Sequence, residues 1–193
     1  MNKVYSKEQL FTSLKVSSIA ELLERYAAGE RDFPGSKLND VNLSNSNLSS
    51  TDFSRTNFNQ AQLENTNFSQ SNLSDTNLKG TQLTRVNLNQ ANLNSSHLVG
   101  ADLTNANLRN AVLRSADLRG ANLTNADLSG ANLSLADLRE ANLNGANLTN
   151  TNLNYALLSN VNLNNARIIG AKLKHTDFNG TNIKNARFEN NSY

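Results

Sequence analysis

Cysteine and tryptophan are absent from this 193-residue chain, and methionine occurs only at its first position. Without cysteine there is no disulfide, no thiolate metal site and no cysteine nucleophile. Histidine is limited to His97 and His175, too few for a multi-histidine metal centre within one chain. No apolar run approaches the ~18 residues of a membrane span. The opening stretch Met1–Phe11 carries Lys3, Lys7 and Glu8 where a secretory signal has an apolar core. These absences lead to the expectation of a cytoplasmic protein with no membrane partner. Neither sign of charge dominates: 18 Lys and Arg oppose 16 Asp and Glu, for a net charge of +2. By segment the balance is 5 − 5 = 0 over residues 1–32, 8 − 9 = −1 over 33–159 and 5 − 2 = +3 over 160–193. No broad basic face follows, so a nucleic-acid partner is not expected.

What fills the chain instead is asparagine, at 36 positions, and leucine, at 30. Their arrangement is periodic. Stepping by five from Phe33 to Phe188 meets 32 positions, of which 24 are Leu, 6 are Phe (Phe33, Phe53, Phe58, Phe68, Phe178, Phe188) and 2 are Ile (Ile168, Ile183). Two residues before each, from Ser36 to Ala186, all 31 positions are Ala, Thr, Ser or Val. Asn or Asp fills most of the places between the two columns, as in Ala121-Asn122-Leu123 and Ala126-Asp127-Leu128. No insertion breaks the register.

A period of five fits neither a helix, at 3.6, nor a strand, at 2. It fits a chain that runs straight for a few residues and then turns. Residues two apart on an extended segment share a side. The small residue and the Leu therefore point inward, while the Asn or Asp between them and the two residues that follow face outward or form the corner. Four such units make a coil of twenty residues, and stacked coils sit ~4.8 Å apart with backbone hydrogen bonds between them. The periodicity by itself implies a solenoid of stacked coils. Large and small inward residues alternate and fill the section, leaving no lumen for a substrate. Burial of one Leu contributes roughly 1.5–3 kcal/mol.

Motifs such as Ala121-Asn122-Leu123-Thr124-Asn125 and Ala131-Asn132-Leu133-Ser134-Leu135 resemble the pentapeptide repeat family over residues 31–190. The leader Leu22–Phe33 also resembles that of cyanobacterial members. The resemblance implies an all-β solenoid, a right-handed quadrilateral β-helix of about eight coils, preceded by a short N-terminal α-helical cap. The expected division is residues 1–30 as helical cap, 31–190 as β-helix and 191–193 as a C-terminal tail.

Solenoid ends need covering, because an open rung offers unpaired strand groups. Ser6-Lys7-Glu8-Gln9 and Ser18-Ile19-Ala20-Glu21 both match a capping box. Ile19, Leu22, Leu23 and Tyr26 follow at helical spacing, and Gly29 is a natural stop. Helices are expected near 6–14 and 18–28, the second laid over the first coil. At the other end, Lys172, Lys174, Lys184 and Arg187 read as charged gatekeepers. Alternatively, a second copy covers Phe178, Ile183 and Phe188. The oligomeric expectation is thus a monomer or a C-terminal end-to-end homodimer.

Residues twenty apart should stack, which sorts the outward positions into columns. One reads Asp75, Ser95, Ser115, Leu135, Tyr155, His175. Leu135 and Tyr155 are apolar where polar residues are the rule, and Leu157 lies around the next corner. Such a patch reads either as a protein contact or as scattered surface apolars, which are common on any protein. A second column holds Arg119 and Arg139, with Asp117, Asp137 and Glu140 alongside and with Arg109 and Arg114 around neighbouring corners. It reads either as a self-paired surface or as a belt for an acidic partner. The candidate protein-binding residues are Leu135, Tyr155, Leu157, His175, Arg114, Arg119 and Arg139. Carboxylate spacing follows from the repeat and carries no acid–base information, and Gly80, Gly100, Gly120 and Gly130 sit at corners rather than in a phosphate loop. No enzyme activity, cofactor, metal or small-molecule substrate is expected.

The function that fits is a non-enzymatic scaffold or regulator that binds a protein through an outer face or an end. The resemblance agrees, since some cyanobacterial members contact protein partners. It also implies an alternative, a DNA mimic acting on a type II topoisomerase (DNA gyrase). Members of that kind are strongly acidic and often carry a loop that breaks the coil. Here the coil is near neutral and uninterrupted.

Overall fold

The computed structural model describes residues 15–193. The helix expected near 6–14 lies outside them. The helix expected near 18–28 is α1 (Ile19–Ala27). The hydroxyl of its N-cap Ser18 accepts the Glu21 N–H at 3.2 Å, satisfying an amide that the helix cannot. Gly29 follows in the left-handed conformation, φ +96°, which glycine adopts without a Cβ clash. Leu22 is fully buried and Ile19 and Tyr26 pack against the core. The Tyr26 hydroxyl donates to the Ser49 carbonyl at 3.3 Å, and the Lys37 N–H donates to the Val16 carbonyl at 3.0 Å. Helix and preceding segment are thereby fastened over the first turn.

From Asp32 onward the chain coils. Parallel bridges join the middle residue of each five-residue unit to the one twenty further on, beginning with Asp32↔Asp52 and continuing to Lys172↔Ser192. Each turn therefore comprises four five-residue sides. Only toward the end do two of these become a regular pair, β1 (Arg167–Ile169) and β2 (Arg187–Glu189), parallel with Ile168 opposite Phe188.

Both inward columns are where the period places them. Every large residue from Phe33 to Leu173 is at most 3% exposed. The small column is buried from Thr51 to Ala171. Phe33, Phe53, Phe58 and Phe68 gather beneath the cap, with ring centroids 5.4–5.9 Å apart. Where the small residue is a buried Ser or Thr, its hydroxyl donates to a nearby carbonyl, as Thr76 does to Leu73 at 2.6 Å. A buried hydroxyl is tolerated because it is bonded.

The backbone of one unit shows why the sequence repeats as it does. In Ala121–Asn125, Ala121 N–H donates to Leu118 C=O (3.0 Å), Asn122 to Ala101 (2.9 Å), Leu123 to Asn142 (2.7 Å) and Asn125 to Asn144 (2.9 Å). The fifth amide, that of Thr124, has no backbone acceptor in a neighbouring turn. It donates to Oδ1 of Asn122 at 3.2 Å. The middle Asn or Asp thus completes the hydrogen bonding of its own unit, an Asx turn repeated along the rod. Its amide also donates to the residue twenty before it, forming ladders such as Asn107→Asn87→Asn67→Asn47.

Candidate functional site

A chain that turns every five residues needs a residue at each corner that bends it sharply. Every fifth residue from Gly35 to Asn190 has φ between +54° and +70°. Glycine occupies 8 of these 32 corners, and the rest are side-chain-bearing residues, many of them Asn. The left-handed region costs an L-residue roughly 1–2 kcal/mol, least for Asn and Asp, which bond locally. A Leu or Tyr there is an outlier. Leu135 (φ +63°) and Tyr155 (φ +62°) are such outliers.

Both point into solvent. Leu135 is 46% exposed, Tyr155 48% and Leu157 40%. His175 is exposed one turn beyond Tyr155, and the two rings stack with centroids 5.0 Å apart, tilted by 33°. The structure thus brings together four of the residues singled out in the sequence. Leu135, Tyr155 and His175 form a ridge along one corner, with Leu157 just around it. Leu157 bridges Asp137 and Asp177 where the repeat normally has Asn or Asp, so the Ser159 N–H lacks the side-chain acceptor that a middle Asn or Asp supplies in other units. Val112 creates the same deficit for Arg114 N–H. Val112 was not singled out in the sequence, although its replacement of Asn is legible there once the role of that position is known.

The arginine column behaves differently. Arg119 grips Asp117 through Nε at 2.8 Å and Nη2 at 2.7 Å, and Arg139 grips Asp137 at 2.9 and 2.6 Å. Arg119 Nε also lies 3.8 Å from Asp137, linking the pairs into a ladder. The hydrogen bonds from the guanidinium groups hold the Asp117 and Asp137 carboxyls below their ordinary range, against a smaller opposing effect of burial. Asp177 is lowered too, chiefly by the Ser159 hydroxyl, which donates at 2.6 Å. Glu140 adds only through-space attraction to Arg119. Beside the ladder runs a groove lined by Val99, Gly100, Arg119, Gly120, Arg139 and Glu140. Arg109 reaches Asp127 at 3.5 Å. Arg114, on the side that leads into the Leu135 corner, makes no ion pair among the described residues.

Elsewhere the outward groups are absorbed by the scaffold. Thr104 and Thr124 turn their hydroxyls onto Asp102 and Asn122 at 2.6 Å. On the last turn, Phe178, Ile183 and Phe188 are incompletely covered and line an apolar recess with Thr181 and Tyr193. Among the described residues no cluster of His, Asp and Glu is arranged to hold a metal ion, and no helix is long and apolar enough to cross a membrane.

The sequence profile of the family "Pentapeptide repeats" matches the chain in eight copies, over residues 36–75, 51–90, 87–125, 116–154 and 156–190. Among solved structures, the chain is similar to HetL of the cyanobacterium Nostoc sp. strain PCC 7120, a pentapeptide repeat protein involved in heterocyst differentiation regulation. Identity is 28%, covering 92% of this chain and 95% of HetL, with a TM-score of 0.35. A second pentapeptide repeat protein from Nostoc PCC 7120 is 33% identical over 68% of this chain and 82% of its own, with a TM-score of 0.23. QnrB1, a plasmid-mediated fluoroquinolone resistance protein, is 16% identical over 82% of this chain and 91% of its own, with a TM-score of 0.61. At that identity the likeness is one of fold. No curated protein sequence matches the chain.

Proposed function

We propose, from the premise that the chain belongs to the pentapeptide repeat family, that it is a non-enzymatic rod that binds a partner protein through its outer surface. The family fold, a right-handed β-helix solenoid, is here read as about eight square turns over residues 31–190 beneath a cap formed by residues 1–30. One observation carries the reading. Leu135 and Tyr155 hold left-handed corners, half exposed, where Asn or Gly would relieve the backbone and suit water better. Strain and exposed apolar surface kept at one place mark a contact. Leu157 and His175 extend that contact, and Arg114, Arg119 and Arg139 are its further candidate members. Pairing of two copies through Phe178, Ile183 and Phe188 is compatible with the same role.

The test is a double variant, Leu135→Asn/Tyr155→Asn, compared with wild type for protein retained from native lysate. The expected result is loss of one partner with the melting temperature maintained or raised. Retention of every partner by the variant overturns the reading at this corner.

The second reading is a duplex mimic that occupies a type II topoisomerase. The fold shared with QnrB1 motivates it. The mixed charge of the rod, with Arg119 and Arg139 neutralising Asp117 and Asp137, weighs against it, because a duplex mimic presents regularly spaced negative charge.

A further inference from the structure

The sides of the rod differ in how their charges are used. On the side that bears Asp117, Arg119, Asp137 and Arg139, the two arginines are each spent on their own carboxylate. The side that leads into the Leu135 corner is the reverse. Over residues 112–115, 132–135, 152–155 and 172–175 its charged residues are Arg114, Lys172 and Lys174, cations all. Asn132, Ser134, Asn152 and Asn154 fill the outward positions between them. All three cations are exposed, and none forms an ion pair among the described residues. The side-chain carboxylates of this side, Asp32, Asp52 and Asp75, lie two or more turns away. Two turns at ~4.8 Å each amount to about one Debye length at ordinary salt. Across the corner, Asp137 is held by Arg139 and Asp177 by the Ser159 hydroxyl. This side therefore combines unneutralised positive charge with the ridge of Leu135, Tyr155 and Leu157.

We infer that this side binds an acidic amphipathic segment of a partner protein. Aliphatic or aromatic side chains of that segment rest on the ridge, and its carboxylates reach Arg114, Lys172 and Lys174. The inference rests on the protein-binding reading and adds to it the side used and the chemistry of the partner. Charge complementarity selects the acidic partner. A single-stranded nucleic acid fits less well. It needs cations spaced along its phosphates and successive stacking platforms, whereas the ridge is half aliphatic and its only stacked pair is Tyr155 with His175.

The experiment is selection of a displayed random-peptide library on the full chain, with subtraction on the Tyr155→Glu variant. Anisotropy titrations of the selected peptides and of polyuridylate follow. Circular dichroism checks that each variant stays folded. The expected peptides are rich in Asp and Glu with interspersed apolar residues. Their affinity falls about tenfold or more in Tyr155→Glu and in Lys172→Glu/Lys174→Glu, weakens with salt, and is unchanged in Arg85→Ala, at a corner half a coil away whose guanidinium donates to Asn65. Repeating the selection on Lys172→Glu/Lys174→Glu yields basic peptides. Peptides that bind indifferently to these substitutions overturn the assignment of this side and leave a protein-binding rod standing. Polyuridylate bound with the same variant dependence overturns it in favour of nucleic acid. A library yielding no binder overturns the protein-binding reading and this inference together.

Discussion

Substituting Asn122 by Ala removes three functions of one side chain: the local acceptor, the ladder donor and the ladder acceptor that Asn142 Nδ2 reaches at 3.4 Å. Its Oδ1 accepts the Thr124 N–H at 3.2 Å and the Thr124 hydroxyl at 2.6 Å. Its Nδ2 donates to Asp102 Oδ1 at 3.2 Å and to Thr104 Oγ1 at 2.8 Å. The Thr124 amide has no other acceptor among the described residues, and Thr124 is half-buried, so water restores part of what is lost. An orphaned donor costs ~1–3 kcal/mol when fully buried, and each net hydrogen bond contributes ~0.5–1.5 kcal/mol. Taking the low end for the amide and one net bond for the ladder on each side, the expected loss is about 2–4 kcal/mol. For a chain of this size that lowers the melting temperature by roughly 4–16 °C. Differential scanning calorimetry reads it directly. Asn122→Asp keeps the acceptor but loses the donor and stacks a carboxylate over Asp102, so it falls between wild type and Asn122→Ala. The reciprocal change is Val112→Asn, which supplies Arg114 N–H with the acceptor it lacks and continues the ladder above Asn92. It should raise the melting temperature. An Asn122→Ala variant that melts with wild type, or a Val112→Asn variant that melts lower, would refute the account of the repeat as a self-bonded Asx unit.

Leu123→Ala should cost about 2–5 kcal/mol, because Leu123 is fully buried between neighbouring turns that cannot collapse onto the cavity. Leu123→Asp should abolish the cooperative transition, since it buries an unpaired charge; retained far-UV signal and melting temperature would disprove the register. Tyr155→Glu should leave the fold intact, as its side chain is outside, and chemical denaturation checks this. Ser18→Ala should lower stability by about 1 kcal/mol through loss of the α1 cap, and amide hydrogen exchange of residues 19–27 should report faster opening there. Asp117 and Asp137 titrate below their ordinary range in the folded rod. The unfolded chain therefore binds protons first, and the stability contributed by these carboxylates is present above the unfolded carboxylate value and lost as pH falls through the lower folded one. Melting temperatures of Asp117→Asn/Asp137→Asn and wild type should differ at neutral pH and converge in acid; a difference independent of pH would contradict the ion-pair origin.

Much of the architecture was legible in the order of residues, for a definite reason. A solenoid is quasi-one-dimensional, so each residue meets others at a fixed sequence offset. Leu123 meets its neighbours because the period is five and the turn takes twenty. The inward columns, the outward columns and the capping helix at Ile19–Ala27 all follow from local rules. The grouping of Leu135, Tyr155 and His175 follows from the same offset.

Three things needed the tertiary structure. The left-handed corners were invisible as such, because Arg55, Glu140, Leu135 and Tyr155 occupy them as well as glycine; the fold imposes a conformation that these residues do not prefer. The middle Asn read as merely outward and polar, whereas it is the acceptor for the one amide that neighbouring turns leave unserved. By sequence, the column of Arg119 and Arg139 reads either as a self-paired surface or as a belt for an acidic partner. Only the side-chain placement separates Arg119 and Arg139, each closed on the Asp two residues before it, from Arg114, left open because Val112 stands where that Asp would be. Periodicity determines where a side chain points. Which partner it takes depends on distances of a few ångströms between turns, and those exist only once the turns are stacked.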